Sequence, residues 1–245
     1  MSAVPLKAAY ILHQRPYRST SLLLEALTAE AGRVGLVARG ARRQGAKRGG
    51  LLQPFRPLLL AWHGRGELKT LSGAEVAGAP PPRPRGRALF AGYYCNELIL
   101  RLYAREAPDA TVFAAYQRTV AALDGEEVPL AALRLFELDL LDALGYAPAL
   151  VREADTGVPV EAACTYDFLP ESGPRRASSD EPVPGAVRVR GSELLALADR
   201  ELHEAQALAA AQRILRASMD PLLGPRPLKS REIYRSLFVD GPSSP

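Results

Sequence analysis

Cysteine and histidine are scarce in this chain: its 245 residues include two cysteines, Cys95 and Cys164, and three histidines. Two cysteines are too few for a disulfide framework or for a four-cysteine zinc site. The histidines lie at positions 13, 63 and 203, too far apart in the sequence to share a metal-ligand spacing. We therefore predict no metal site and no cofactor.

Long apolar runs are also missing. None approaches the roughly 18 residues of a membrane span, and the longest are short leucine triplets such as residues 22–24. Residues 1–7 lack the basic start and apolar stretch of a signal peptide. Apolar residues make up 47% and charged residues 24%, as in ordinary globular domains. The sequence predicts a globular, cytoplasmic protein without a membrane partner.

Patterns that indicate catalysis are absent too. The chain has no Gly-x-Ser-x-Gly motif and no clustered histidines. Three carboxylates, Glu137, Asp139 and Asp142, share one predicted helix. Their spacing predicts a solvated face, with an acidic partner surface as the alternative. We therefore expect a binding protein rather than an enzyme.

Charge is distributed unevenly along the chain. Residues 1–87 hold 15 Lys and Arg against 4 Asp and Glu, whereas residues 88–245 hold 16 against 23. A basic front and an acidic back indicate that one part of the protein meets a polyanion and another part does not. A solvated basic surface without a partner is the alternative.

The clearest domain boundary is the proline-rich segment AGAPPPRPRGR at residues 77–87. Consecutive prolines cannot join a helix or a central strand, so the segment predicts an extended spacer. We predict a first domain over residues 1–79, a linker over 80–87, a second domain over 88–240 and a tail over 241–245.

Short strands dominate the prediction for the first domain. Apolar alternation or short apolar runs mark five segments: residues 7–15, 19–30, 33–39, 55–62 and 68–76. The second segment is also compatible with a short helix, but the Ala31-Gly32 turn that follows it favours a hairpin. Five strands in about 70 residues, without a clear helical partner, are typical of the small closed barrel of an OB-fold.

Helices dominate the second domain. Apolar positions at helical spacing predict helices over residues 87–106, 110–123, 131–144, 192–200 and 202–219. Between these segments, residues 151–190 predict a short strand pair with loops. The predicted fold class is α+β: an N-terminal five-stranded OB-fold barrel followed by a helical C-terminal domain with a small strand and loop insertion.

The densest motif is the segment Arg39–Arg48, RGARRQGAKR, which lies between two predicted strands. Its basic side chains can neutralise phosphates and release counterions. Aromatic side chains can stack on bases, and Tyr17 is the best placed, because Tyr10 and Trp62 lie in apolar runs that predict core. A charged, solvated loop is the alternative. We predict a DNA-binding surface made of Arg15, Tyr17, Arg18, Arg39, Arg42, Arg43, Lys47, Arg48 and Lys69.

Five segments in order resemble the bacterial DNA repair family RecO over nearly the whole chain. They are AYILHQRPYRSTSLLLEALTAEAGRVGLVARGAR (9–42), LLQPFRPLLLAWHGRGELKTLSGAEV (51–76), GYYCNELILRLY (92–103), LRLFELDLLDALGYAP (133–148) and RPLKSREIYRSLF (226–238). Each segment is modest alone, but five with similar spacing make a specific match.

The resemblance implies a DNA repair and recombination mediator of the RecF pathway. RecO-like proteins have an N-terminal OB-fold, bind single- and double-stranded DNA and anneal complementary strands. They engage single-stranded-DNA-binding protein (SSB) and RecR, and they assist RecA loading at gaps. Many members carry a four-cysteine zinc module after the LGY segment. Residues 151–172 keep only Cys164 there, so the resemblance implies the zinc-less type, in the cytoplasm and associated with the nucleoid.

The resemblance also implies a site for the acidic SSB tail in the helical domain. A basic side chain beside an apolar pocket would suit the carboxylates and the aromatic end of that tail. Arg134 is the first candidate, because Leu133, Phe136 and Leu140 surround it in the sequence. Lys229 and Arg231 are the second candidates, and ordinary helix-surface charge is the alternative for all three.

Two other functions remain open from the sequence. A generic OB-fold module could bind RNA or single-stranded DNA without a mediator role, and DNA annealing and SSB capture would distinguish it. An enzyme that acts on nucleic acid is the other, but no acidic metal cluster or nucleophile supports it.

Overall fold

The structure is a computed structural model and describes residues 5–43, 50–78, 80–179 and 181–239. Its contacts divide the chain into two compact units, Met1–Val128 with Leu228–Pro245, and Pro129–Pro227. The domain bounds 1–79, 80–87 and 88–240 stay a prediction, and the predicted tail lies outside the described residues.

A closed five-stranded barrel forms the first part of the first unit, in the strand order β1-β2-β3-β5-β4. β3 and β5 run parallel, and the other neighbouring strands are antiparallel. The strands are β1 (Lys7–Tyr17), β2 (Ser21–Thr28), β3 (Gly32–Ala38), β4 (Leu58–His63) and β5 (Leu68–Val76). The barrel predicted from the sequence is confirmed, and it has the size and the closure of an OB-fold.

Alternate side chains along each strand point into the barrel and fill it. Its core includes Ile11, Leu24, Leu36, Leu60 and Leu71. The strand β2 is buried on both faces, since Leu23 and Leu27 on its outer side are also buried. A strand buried on both faces loses the alternation of apolar and polar residues, which explains why its sequence was also compatible with a helix.

The first unit also contains the helices α1 (Gly86–Leu102), α2 (Ala110–Ala122) and, after the second unit, α6 (Lys229–Phe238). The Asp109 side chain begins α2 by accepting the N–H groups of Thr111 and Val112 at 2.7 and 3.2 Å. Arg33 of β3 donates to the carbonyl of Leu100 in the last turn of α1, which ties the barrel to the end of that helix. The predicted helix over 87–106 is four residues too long.

The proline-rich segment is bound to the rest of the first unit. The N–H of Arg85 donates to the Gly125 carbonyl at 2.6 Å, and the N–H of Gly125 donates to the Arg83 carbonyl at 3.3 Å. The Asp124 side chain accepts the N–H of Arg83 at 3.0 Å. Arg83, between Pro82 and Pro84, and Arg85, directly after Pro84, therefore hold the segment by backbone hydrogen bonds.

The second unit combines three helices with a small sheet. The helices are α3 (Leu130–Ala143), α4 (Gly191–Ala198) and α5 (Ala205–Leu223). The sheet has the order β7-β6-β8, with β6 (Thr165–Leu169), β7 (Gly173–Arg176) and β8 (Val187–Arg190). The predicted strand pair is therefore a three-stranded sheet, because β8 returns to pair with β6 after the loop at 177–186.

Two of the carboxylates on α3 are buried rather than solvated, which corrects the sequence prediction. Glu137 lies 2.9 Å from the Arg134 guanidinium, and Asp139 pairs with Arg200. Both carboxylates are almost fully buried, and only Asp142 is exposed. An ionised carboxylate can be buried when a guanidinium compensates it. Arg134 is three residues before Glu137 on the same helix, whereas Arg200, the partner of Asp139, is 61 residues away in sequence and cannot be assigned from spacing.

Candidate nucleic-acid interface

The strand register brings two loops together at one end of the barrel. Tyr17 at the end of β1 pairs with Ser21 at the start of β2. Leu22 of β2 pairs with Ala38 at the end of β3. The N–H of Arg42 then donates to the Thr20 carbonyl at 2.9 Å, which joins the segment after β3 to the β1–β2 turn.

Five arginines predicted from the sequence lie at this end, which we call the barrel-end surface: Arg15, Arg18, Arg39, Arg42 and Arg43. All five are exposed. Within the described parts of the chain, none of the five forms an ion pair with a carboxylate. Two further predicted residues, Lys47 and Arg48, lie outside the described residues. The surface therefore carries a concentrated positive charge that no carboxylate of the described residues neutralises through an ion pair.

Tyr17 supplies an aromatic side chain at the same surface. The Arg18 guanidinium lies 5.3 Å from the centre of the Tyr17 ring. Arg18 itself has a φ of +53°, a left-handed conformation that costs a non-glycine residue about 1 kcal/mol. Strain of this kind is common at binding turns. The half-buried ring and the guanidinium together form a small platform on which a base can stack.

The structure does not bring Lys69 to the barrel-end surface. Its ammonium forms an ion pair with Glu106. It lines a cleft with Glu30 and Ala31 of the β2–β3 turn, and that turn lies at the opposite end of both strands from Thr20 and Arg39. A lysine whose charge is already compensated attracts a phosphate less strongly.

The aromatic residues expected in the core are buried or partly buried. Tyr10 is packed against Phe113 and Tyr116, and Trp62 packs against the barrel core. Phe55 is also buried. Tyr17 is therefore the best placed of the aromatic side chains considered for base stacking.

The three candidates for an SSB tail have different surroundings. Arg134 lies in the second unit, is only 8% exposed and is paired with Glu137. Lys229 and Arg231 lie in the first unit, at the start of α6. Arg231 donates to the Tyr94 hydroxyl at 3.1 Å and covers the ring of that tyrosine. Lys229 is exposed, so it is the most accessible charge of the three.

Two apolar side chains that the sequence analysis did not single out lie near Lys229 on α6. Ile233 is 46% exposed and Leu237 is 56% exposed. Lys229, Ile233 and Leu237 are four residues apart and therefore share one face of the helix. The four-residue spacing of Lys229, Ile233 and Leu237 is visible in KSREIYRSLF. The sequence does not show that this face is exposed, because that depends on Tyr234 and Phe238 packing on the other side of the helix.

The start of α6 is held by a carboxylate of α1. Glu97 accepts the N–H groups of Lys229 and Ser230 at 2.9 Å each, and the Ser230 hydroxyl at 2.7 Å. Burial raises the pKa of Glu97, but the hydrogen bonds from Ser230 and Lys229 outweigh burial and hold its pKa below the ordinary value. Glu97 therefore acts as a helix cap supplied by another helix.

Glu97→Gln is expected to lower the free energy of unfolding by about 1 kcal/mol at neutral pH, the usual value of a helix cap. A lowered folded-state pKa stabilises the folded protein above the unfolded-state value of about 4.3. This stabilisation is lost as the pH falls through the folded-state value. Urea unfolding at pH 7 and pH 3 measures the difference between the two proteins, which should shrink at the lower pH. A difference that is independent of pH would contradict the ionised cap.

Hydrogen bonds and ion pairs hold the segment that follows the LGY motif. Glu153 is buried and accepts from Thr156 at 2.8 Å and from Arg176 at 2.9 Å. Arg176 also bonds to Glu161 at 2.5 Å. Within the described residues, no group of three His, Cys, Asp or Glu side chains is arranged to hold a metal ion. The residues present therefore do not fit a zinc module.

Among the described residues, no helix has both the length and the apolarity to span a lipid bilayer.

Comparison with known proteins assigns a family to both halves of the sequence. The family described as Recombination protein O N terminal matches residues 1–80, and the one described as Recombination protein O C terminal matches residues 83–232. The chain is 47% identical over 234 residues to the DNA repair protein RecO of Nitrosococcus oceani, which covers 96% of this chain and 94% of that protein.

Two further relatives have the same description. The chain is 42% identical over 238 residues to the DNA repair protein RecO of Serratia proteamaculans, covering 97% of this chain and 96% of that protein. It is 44% identical over 234 residues to the protein of the same description from Pseudomonas aeruginosa, covering 96% of each. These matches extend over both compact units. The chain therefore belongs to the RecO family of DNA repair proteins.

Proposed function

We propose that this protein is a recombination mediator that binds single- and double-stranded DNA and anneals complementary strands. The barrel-end surface carries this proposal, because five exposed arginines from the end of β1, the β1–β2 turn and the segment after β3 meet there. The role is physical and needs no catalytic group. Two DNA strands repel each other, and a basic surface lowers that repulsion while their bases pair.

The salt dependence of DNA binding tests this surface. Each phosphate that is neutralised on a single strand contributes about −0.7 to the slope of log affinity against log salt. Arg42→Ala with Arg43→Ala is therefore expected to flatten the slope by about 1.4. The measurement is fluorescence anisotropy of a labelled oligothymidine over a range of salt concentrations.

The control is Arg65→Ala with Arg83→Ala, which removes the same charge from two exposed arginines that are not among the five of the barrel-end surface. This control should leave the slope nearly unchanged. An equal change of slope in both double variants would mean that net charge, rather than the barrel-end surface, governs binding.

We infer that the acidic tail of SSB binds the exposed face of α6. Lys229 offers an ammonium for the carboxylates of the tail, and Ile233 and Leu237 offer apolar contact for its aromatic end. Arg134 is a weaker candidate, because a tail there would have to displace Glu137 or share the guanidinium with it.

Lys229→Glu is expected to weaken binding of a labelled SSB-tail peptide about tenfold, equivalent to about 1.4 kcal/mol. Its side chain makes no ion pair within the described residues, so folding should be preserved; the contact to Glu97 uses its backbone. Arg134→Met, measured in parallel, tests the alternative. Loss of peptide binding in Arg134→Met but not in Lys229→Glu would contradict the assignment to α6.

We further propose that the protein engages RecR and assists RecA loading at gaps, as the family membership suggests, and that it therefore acts at the nucleoid. The second candidate function is a generic OB-fold module for RNA or single-stranded DNA. The exposed charged and apolar face of α6 favours the mediator role, because a generic module has no need of a site for the SSB tail.

A further inference from the structure

A β-bulge interrupts β1 in the middle of the strand. Ile11 pairs with Ala26 on β2, and His13 pairs with the next residue, Glu25. Leu12 is therefore one extra residue between the two pairs. Side chains alternate between the faces of a strand, and one extra residue exchanges the two faces from that point onward.

The bulge decides on which face of β1 the following side chains lie. Before it, Ala9 and Ile11 belong to the barrel core. Regular alternation would continue this face through residues 13, 15 and 17. Beyond the bulge, it is instead Gln14 and Pro16 that lie opposite core residues of β2, namely Leu24 and Leu22.

Arg15 and Tyr17 lie on the outer face as a result. Arg15 pairs with Leu23 and Tyr17 pairs with Ser21, which alternate with the core residues of β2. Without the bulge, Arg15 and Tyr17 would lie on the inner face of the barrel, the face of Leu22 and Leu24. The contribution of β1 to the barrel-end surface, Arg15 and Tyr17, therefore depends on the bulge at Leu12.

A buried amide holds the bulge. The Asn96 Nδ2 group of α1 donates to the Leu12 carbonyl at 2.8 Å. The Tyr116 hydroxyl of α2 donates to Asn96 Oδ1 at 2.7 Å and so fixes the orientation of the amide. Asn96 is 2% exposed and Tyr116 is fully buried. A carbonyl at a bulge is displaced from the regular ladder, and a buried one needs another donor.

We propose that Asn96 is a positioning residue for DNA binding: through the Leu12 carbonyl it fixes the bulge that directs Arg15 and Tyr17 outward. Tyr116 supports it by holding the amide. This inference rests on the proposed function of the barrel-end surface. It assigns a role in binding to two buried residues that have no access to DNA themselves.

The test is a double-mutant cycle between Asn96→Leu and Arg15→Ala, with oligothymidine binding as the readout. Asn96→Leu alone is expected to weaken binding about fivefold. In the Arg15→Ala background the same change should weaken binding less than about twofold, because the effects of coupled residues do not add. A merely structural loss would weaken binding equally in both backgrounds.

The matched control is Thr119→Val. It removes a buried hydroxyl of α2 that donates to the Ala115 carbonyl at 2.9 Å, and it should leave DNA affinity unchanged. Amide hydrogen exchange provides a second readout: Asn96→Leu should accelerate exchange in residues 13–17 and leave residues 34–38 unchanged. If Asn96→Leu does not fold, Tyr116→Phe replaces it, since it removes only the hydroxyl.

The outcomes distinguish the inference from the proposed function. Equal effects of Asn96→Leu in both backgrounds, or no effect on binding while Arg15→Ala weakens it, would overturn the role of Asn96 alone. Wild-type binding by both Arg15→Ala and Arg42→Ala with Arg43→Ala would overturn the barrel-end surface itself, and the inference with it.

Discussion

Arg42→Glu with Arg43→Glu is expected to slow the annealing of complementary DNA strands on the order of a hundredfold at moderate salt. Each lost phosphate contact on a single strand costs about fivefold in affinity near 0.1 M salt. Two lost contacts therefore account for about 25-fold. The two new carboxylates add repulsion, because they lie where the backbone of the strand is expected to bind.

Protein stability should be unaffected by this change. Both arginines are exposed, and neither forms an ion pair within the described residues. The contact that holds the loop is the N–H of Arg42 to the Thr20 carbonyl, which a Glu residue keeps. The control is Arg65→Glu with Arg83→Glu, which has the same net charge. Similar slowing by both double variants would contradict a localised surface.

Gly32→Ala is expected to lower the free energy of unfolding of the first unit by about 4 kcal/mol, at the upper end for single substitutions. Gly32 has a φ of +64°, and an added Cβ would lie 2.3 Å from the Ala107 carbonyl oxygen and 2.9 Å from the Ala107 nitrogen. Backbone cannot move aside as a flexible side chain can. The β2–β3 turn would therefore separate from the segment between α1 and α2.

Gly78→Ala provides a close control for the backbone strain. Gly78 has a φ of +65°, and an added Cβ there would have no atom within 4 Å. Its expected cost is about 1 kcal/mol, the price of a left-handed conformation alone. Urea unfolding measures the free energy of unfolding of both variants, and the difference between their losses is the cost of the steric contact. Equal losses would show that Gly32 does not approach Ala107 as closely as described.

The barrel could be predicted from the sequence because most of its strands carry a local signal. The alternation in residues 33–39 and the glycines between β4 and β5 are both short-range features. The small sheet was only partly predicted. Its third strand is four residues long and is separated from β6 by two loops and β7, so its pairing depends on contacts that periodicity does not contain.

The basic residues of the candidate site could be predicted from the sequence, but their arrangement in space could not. The arginines around residues 39–43 are conspicuous in the sequence, but the register of β1, β2 and β3 is what joins them to Arg15 and Arg18. Lys69 has the same charge and is paired at the other end of the barrel.

The bulge at Leu12 shows the limit of periodicity most directly. Strict alternation from Ile11 would direct Arg15 inward, and the structure directs it outward. The signal that corrects the alternation is Asn96, which is 84 residues away in sequence from the carbonyl that it binds. A tertiary hydrogen bond of this kind cannot be found from one sequence by local pattern.

The most direct test of the mediator role is annealing of complementary oligonucleotides coated with the cognate SSB, with and without this protein. SSB that lacks its acidic tail is the matched control. We predict that the protein accelerates annealing on intact SSB and that the acceleration is lost when the tail is removed. Acceleration only on naked strands, or no acceleration at all, would contradict a mediator that works through SSB.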